Sequence, residues 1–144
     1  MGNAFNLGRV FGIQFRLHYT WFIIFVLVTV SLSWQVFPFY YEWTPLVYWA
    51  VGIVTSLLFF ASVVAHELAH SLVGRDSGIP IKSITLFIFG GVAQMTREAT
   101  KASDELKMAA AGPACSLVIG GLCFLLQMLI GGINEPIAAM AFWL

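Results

Sequence analysis

Residues 43–70 read WTPLVYWAVGIVTSLLFFASVVAHELAH, and this stretch decides the architecture. No Asp, Glu, Lys or Arg occurs between Trp43 and Ala65. A helix of roughly 20 residues crosses about 30 Å of hydrocarbon, so the run is long enough to span a bilayer. Three ionisable residues, His66, Glu67 and His70, then close it. A charged side chain at the centre of a membrane helix costs about 2.5–3.5 kcal/mol on insertion scales, so such a cluster needs a reason. Helical spacing puts His66 and His70 on one face. Two imidazoles four residues apart can grip one Zn²⁺, with the adjacent Glu67 as general base. A cluster that merely ends the helix would account for one His or one Glu, but not for this spacing.

The rest of the chain agrees with a membrane setting. Of 144 residues, 60% are hydrophobic and 10% charged, where a soluble domain carries about 25% charged residues. Mean hydropathy is +0.89. These figures exclude a disordered chain and argue against a soluble enzyme. Seven Lys and Arg balance seven Asp and Glu, so no basic excess is available for nucleic acid, and none is expected as a partner. Cys115 and Cys123 share one apolar segment. They lie about 12 Å apart along a helix and read as buried thiols rather than a disulfide.

Two further uncharged runs, Leu17 to Tyr41 and Met108 to Asn134, are long enough to cross, and a fourth begins at Pro136. The expected fold is an all-α multipass membrane protein forming a single membrane domain over 1–144. Its spans are placed at about 17–37, 45–74 and 106–130, with an incomplete fourth at 136–144. The first is too long for a signal peptide and lacks a small-residue cleavage site. Arg9 and Arg16 precede span one, and Arg75, Lys82, Arg97, Lys101 and Lys107 lie between spans two and three. This places the N-terminus and the 75–107 loop in the cytoplasm of a cell-membrane protein. Trp34, Trp43, Tyr40, Tyr41 and Tyr48 suit an aromatic belt on the other side. Ile84, Leu86 and Ile88 alternate with Thr85, Phe87 and Phe89, which predicts a strand. Gly90-Gly91 then marks a turn or a close backbone approach. The expectation is a small β-hairpin at the cytoplasmic face. Gly74 reads as a helix C-cap.

With these elements in order, the chain resembles the site-2 protease family of intramembrane zinc metalloproteases, especially prokaryotic members that carry CBS domains. The resemblance rests on His66-Glu67-Leu68-Ala69-His70, on Leu86-Phe87-Ile88-Phe89-Gly90-Gly91-Val92-Ala93, on Glu105 through Ala111-Gly112-Pro113-Ala114-Cys115-Ser116, and on Gly12 to Trp21. It implies zinc-dependent endopeptidase activity against a transmembrane segment of a single-span membrane protein. One Zn²⁺ per active site is implied, held by His66 and His70, with Glu67 catalytic and Gly112, Pro113 and Ser116 at the border of the site. The family's third zinc ligand, an Asp in an LDG-type motif, would fall beyond Leu144, as would the CBS domains. Residues 97–102 replace the prolines usual before the AGP motif. The expected chain is therefore an N-terminal part or a shortened relative of such a protease. A downstream chain or a second copy would supply the third ligand.

Other candidates carry two readings each. His18 either caps span one or neighbours the active site as a substitute ligand. The strand near Ile84–Phe89 either forms an interfacial hairpin that only packs or offers an edge that pairs with an unwound substrate, and Gly90 and Gly91 beside it are candidate neighbours of the active site. Gly112, Ser116 and Gly120, four apart, are expected to let span three pack closely on the His-bearing helix, with Pro113 loosening it. Asp104 and Glu105 suit an N-terminal turn. Two rival functions follow. One is an inactive relative that binds membrane partners without cutting them. The other is a membrane metal transporter, which calls for more polar ligands than spans one and three offer.

Overall fold

The structure is a computed structural model and describes residues 4–95, 101–130 and 132–144. Of the segment expected in place of the family's prolines, residues 97–100 lie outside the described residues. Two strands, β1 (Ala4–Val10) and β2 (Ile13–His18), precede the first helix. That helix runs continuously as α1 (Thr20–Ser31), a π-helical stretch (Leu32–Val36) and α2 (Phe37–Tyr40). The long helix α3 (Pro45–Asp76) follows, then β3 (Ile81–Phe87), β4 (Gly90–Met95), α4 (Ala102–Ile130) and the short α5 (Glu135–Phe142). The three segments Thr20–Tyr40, Pro45–Asp76 and Ala102–Ile130 are each long and apolar enough to cross a membrane. None of the most apolar stretch of Ala102–Ile130 is buried within the protein, and Leu117, Leu122, Phe124 and Leu129 are all exposed. Apolar side chains displayed in this way suit a lipid solvent.

The chain forms two compact units. The first comprises Met1–Phe22 and Ser62–Leu117, the second Ile23–Ala61 and Val118–Leu144.

The first unit holds a four-stranded sheet in the order β1-β2-β3-β4. The β1–β2 and β3–β4 pairs are antiparallel and β2–β3 is parallel. The expected hairpin is thus half of a larger sheet. Its turn is made by Ile88 and Phe89, not by the two glycines, and Gly90 enters β4 at φ +125°, a conformation open to glycine. The N-terminal hairpin was not expected, because Ile13 to Leu17 reads equally as the approach to span one. Yet β2 alternates strictly: Ile13, Phe15 and Leu17 are buried while Gln14, Arg16 and His18 are not. The buried set joins Ile84 and Leu86 of β3 in one core, against which Trp21, Val64, Leu68 and Ala93 pack. Val64 and Leu68 are one helical turn apart, so α3 lies on the sheet along that stripe.

The predicted C-cap moves as well. Helix α3 continues past Gly74 to Asp76, and Gly78 adopts φ +79°. The Ile79 N–H returns to Gly74 O at 2.9 Å and closes the helix end. Gly74 instead serves packing, since a Cβ there would lie 2.8 Å from Met108 Sδ. Asp104 and Glu105 sit in the first turn of α4, as expected.

In the second unit four of the aromatic residues assigned to a belt, Tyr40, Tyr41, Trp43 and Tyr48, gather together. Tyr41 stacks on Trp43 at 4.4 Å, and Trp43 Nε1 donates to Glu135 Oε2 at 2.7 Å. Helices approach closely where Gly52 meets Ser33, since a Cβ at Gly52 would overlap the Ser33 hydroxyl. Asn134 caps α5 by accepting from Ile137 N at 3.2 Å.

Candidate active site

Helical spacing on α3 brings the two imidazoles together within the first unit. His66 Nε2 and His70 Nε2 are 3.0 Å apart, and the rings meet edge to face at 77°. Each ring is held from behind by α4. His70 Nδ1 lies 2.6 Å from the Met108 carbonyl oxygen. A carbonyl only accepts, so Nδ1 donates and the neutral ring presents a lone pair at Nε2. His66 Nδ1 lies 2.8 Å from Ser116 Oγ. When that nitrogen donates to the hydroxyl, both Nε2 lone pairs face one point.

This arrangement fits a divalent cation. Two lone pairs at 3.0 Å repel one another unless a proton or a metal stands between them. Nitrogens bound to one tetrahedral zinc at 2.0–2.1 Å would be about 3.4 Å apart, close to what is found. Hydrogen bonds from the far ring nitrogens are the usual means of orienting metal-bound histidines. Gly112 leaves the space that this requires. A Cβ built there would lie 2.6 Å from His66 Nε2 and overlap His70 Nε2. Pro113 follows within α4, where its missing N–H permits a bend.

Glu67 points toward the sheet. Gly91 of β4 stands against it, and a Cβ on Gly91 would fall 2.7 Å from the Glu67 carboxyl carbon. The close-approach reading of Gly90-Gly91 is the one realised, and Gly91 makes it. The carboxylate therefore lies against the backbone of an edge strand.

His18 sits apart from this pair. Its Nδ1 is 2.9 Å from Thr20 Oγ1, and its ring lies 5.0 Å from that of Phe87. It thus caps the junction of β2 and α1. Of the expected stripe on α4, Gly112 and Ser116 face the histidines, whereas Gly120 has nothing within 4 Å among the described residues. Among the described residues, no three His, Cys, Asp or Glu side chains are grouped to hold a metal ion. Cys115 and Cys123 are free thiols. The Met108 carbonyl escaped sequence reasoning, because a backbone oxygen 38 residues from His70 carries no residue-type signal.

Comparison with known proteins gives a consistent result. The profile of peptidase family M50 matches residues 54–142. A relative from Synechocystis, named as a zinc metalloprotease, is 47% identical over 121 residues, covering 83% of this chain and 31% of the relative. Rip3 of Mycobacterium tuberculosis, likewise named as a zinc metalloprotease, is 34% identical over 146 residues, covering 100% of this chain and 37% of its own length. The solved site-2 protease from Methanocaldococcus jannaschii superposes with a TM-score of 0.64 at 31% identity, covering 96% of this chain and 61% of that one. The chain spans about a third of the length of the curated relatives it matches.

Proposed function

The chain belongs to peptidase family M50, and from that premise we propose that it forms the water-activating part of a zinc-dependent intramembrane endopeptidase. The observation that carries this reading is the convergence of His66 Nε2 and His70 Nε2, each oriented from α4, with Glu67 beside them. His66 and His70 would hold the metal. When bound, zinc supplies a Lewis acid that polarises a peptide carbonyl and lowers the pKa of water. Glu67 takes a proton at its carboxylate and returns it to the leaving amine. Met108 O and Ser116 Oγ keep the two rings from rotating away. Gly112 keeps the pocket open, and Pro113 shapes the helix around it.

The substrate in this proposal is a transmembrane segment of a single-span membrane protein, unwound before cleavage. The Ile84–Phe89 segment expected to offer an edge lies mostly in β3, which is paired on both sides, so the open edge is that of β4, with Gly91 against Glu67. Its outward backbone N–H and C=O groups suit an extended peptide added as a fifth strand. Gly90 enters that edge at a φ of +125°, and the His18 ring packs on Phe87 of the adjacent strand. A catalytic zinc usually has three protein ligands. The third is assigned to a group that the described residues do not include, such as one on a second copy or a further chain. The N-terminus and residues 75–107 are assigned to the cytoplasm from the seven cations they carry.

A second reading has one observation in its favour: the described residues present two metal-binding histidines and no third group. On that reading the chain binds membrane partners without cleaving them. Replacing Glu67 with Gln in the whole protein separates the two. Zinc content should be unchanged while cleavage of a membrane reporter falls by at least about 100-fold. Cleavage that persists at the parent rate removes Glu67 from the mechanism.

A further inference from the structure

The face of the sheet turned away from its apolar core is cationic. Strand register sets Arg9 opposite Gln14 and Asn6 opposite Arg16. It also sets Gln14 beside Ser83 and Ser83 beside Gln94. Arg9, Gln14, Arg16, Lys82, Ser83 and Gln94 line a groove of about 410 Å³. Among the described residues, the lining contains three cations and no carboxylate. Among the described residues, none of the three cations takes part in an ion pair.

The groove is also an array of donors. Arg16 Nη2 donates to Gln14 Oε1 at 3.1 Å, which holds the guanidinium in place. Ser83 Oγ donates to Gln94 Oε1 at 3.1 Å. Both glutamine oxygens are thereby satisfied, and their amide N–H groups are left to donate outward. Two guanidinium groups, one ammonium and two amides call for a ligand rich in anionic oxygens.

The opposite side of the same hairpin is apolar and open. Phe5 and Val10 lie on the core side by register, opposite Leu17 and Ile13, yet both are exposed, as are Leu7 and Phe11. Phe5 meets Phe22 at the start of α1, edge to face at 6.4 Å. Arg75 at the end of α3 donates from Nη1 to Phe11 O and pins the hairpin turn to the helix end. The β1–β2 hairpin therefore shows apolar side chains on one side and cations on the other, where two bilayer-crossing helices end. That is the arrangement of an element lying in the membrane interface.

We propose that this groove binds the phosphate-bearing headgroup of an anionic phospholipid from the surrounding bilayer. The occupant is a lipid because the exposed Phe5, Leu7, Val10 and Phe11 of the same hairpin need an acyl environment, which a free anion does not bring. The site is separate from His66, Glu67 and His70 and does not depend on proteolysis.

Titration of the whole protein in dodecyl maltoside with phosphatidylglycerol or phosphatidylcholine, followed by native mass spectrometry, tests this. Phosphatidylglycerol should bind the parent protein more tightly than phosphatidylcholine. Its affinity should fall about five-fold for each cation removed, as in Arg9→Gln/Arg16→Gln. Lys82→Gln changes an exposed side chain on the rim and should give the single five-fold step in a protein whose fold is undisturbed. Equal binding of the two lipids overturns the proposal, as does phosphatidylglycerol binding that survives in both variants. Displacement of the lipid by millimolar glycerol 3-phosphate would reassign the groove to a soluble phosphate ester. Displacement by an acidic peptide would reassign it to a protein partner.

Discussion

Replacing Gly112 with Ala should empty the metal site while leaving the helix that carries it intact. The added Cβ would lie 2.6 Å from His66 Nε2 and overlap His70 Nε2. Ordinary contact begins at 3.4 Å, so the His66 nitrogen alone must retreat by about 0.8 Å and His70 by more. Neither ring can retreat freely, because Met108 O holds His70 at 2.6 Å and Ser116 Oγ holds His66 at 2.8 Å. Loss of such orienting bonds typically lowers metal affinity by about 10–100-fold, and a displacement near 1 Å at a reacting centre can lower the rate by about 100-fold. The intrinsic effect on the helix has the opposite sign, since Ala in a helix interior is favoured over Gly by about 1 kcal/mol. Crowding of the two rings costs about 1–3 kcal/mol against that gain, so the variant should stay folded, with thermal unfolding close to the parent's, and yet lose zinc. Competition against a fluorescent zinc chelator, with thermal unfolding measured in parallel, reads both quantities. Gly120→Ala on the same helix, with nothing within 4 Å among the described residues, should leave zinc binding unaltered. An unchanged zinc affinity in Gly112→Ala would refute the reasoning, because the ring positions could then not be those described.

Other substitutions probe the remaining parts of the site. Ser116→Ala removes the partner of His66 Nδ1 and should weaken zinc binding by about 10-fold or more with little change in thermal stability; chelator competition measures it. Gly91→Ala drives a methyl group against Glu67, so it should leave zinc content alone and lower cleavage by about 100-fold, read as turnover of a membrane reporter at fixed zinc occupancy.

Much of the candidate site was legible because it is local. His66, Glu67 and His70 fall within two turns of one helix, so residue type and spacing alone set the two rings side by side. The three apolar segments were legible for a similar reason, since bilayer thickness imposes a minimum helix length. Helix ends were less so. Gly74 has the residue type of a cap, but Met108 and Ile81 crowd it inside the helix, and Gly78 closes the turn instead. The β1–β2 hairpin hid behind the apolar approach to α1. The alternation of Ile13, Phe15 and Leu17 was visible, but it acquires meaning only beside Ile84 and Leu86.

By itself, then, the sequence determined a membrane-spanning chain with a metal-competent histidine pair and an adjacent carboxylate, because each follows from periodicity within a single segment. Only the tertiary structure decided what those groups face. It set the Met108 carbonyl behind His70, Ser116 behind His66, the backbone of Gly91 against Glu67, and three cations from three strands around one groove. Apart from Arg9 and Arg16, which share a hairpin, those meetings join residues far apart in the chain. They arise from strand register and from close helix approach at glycine, which depend on the packing of both partners at once rather than on the composition of either.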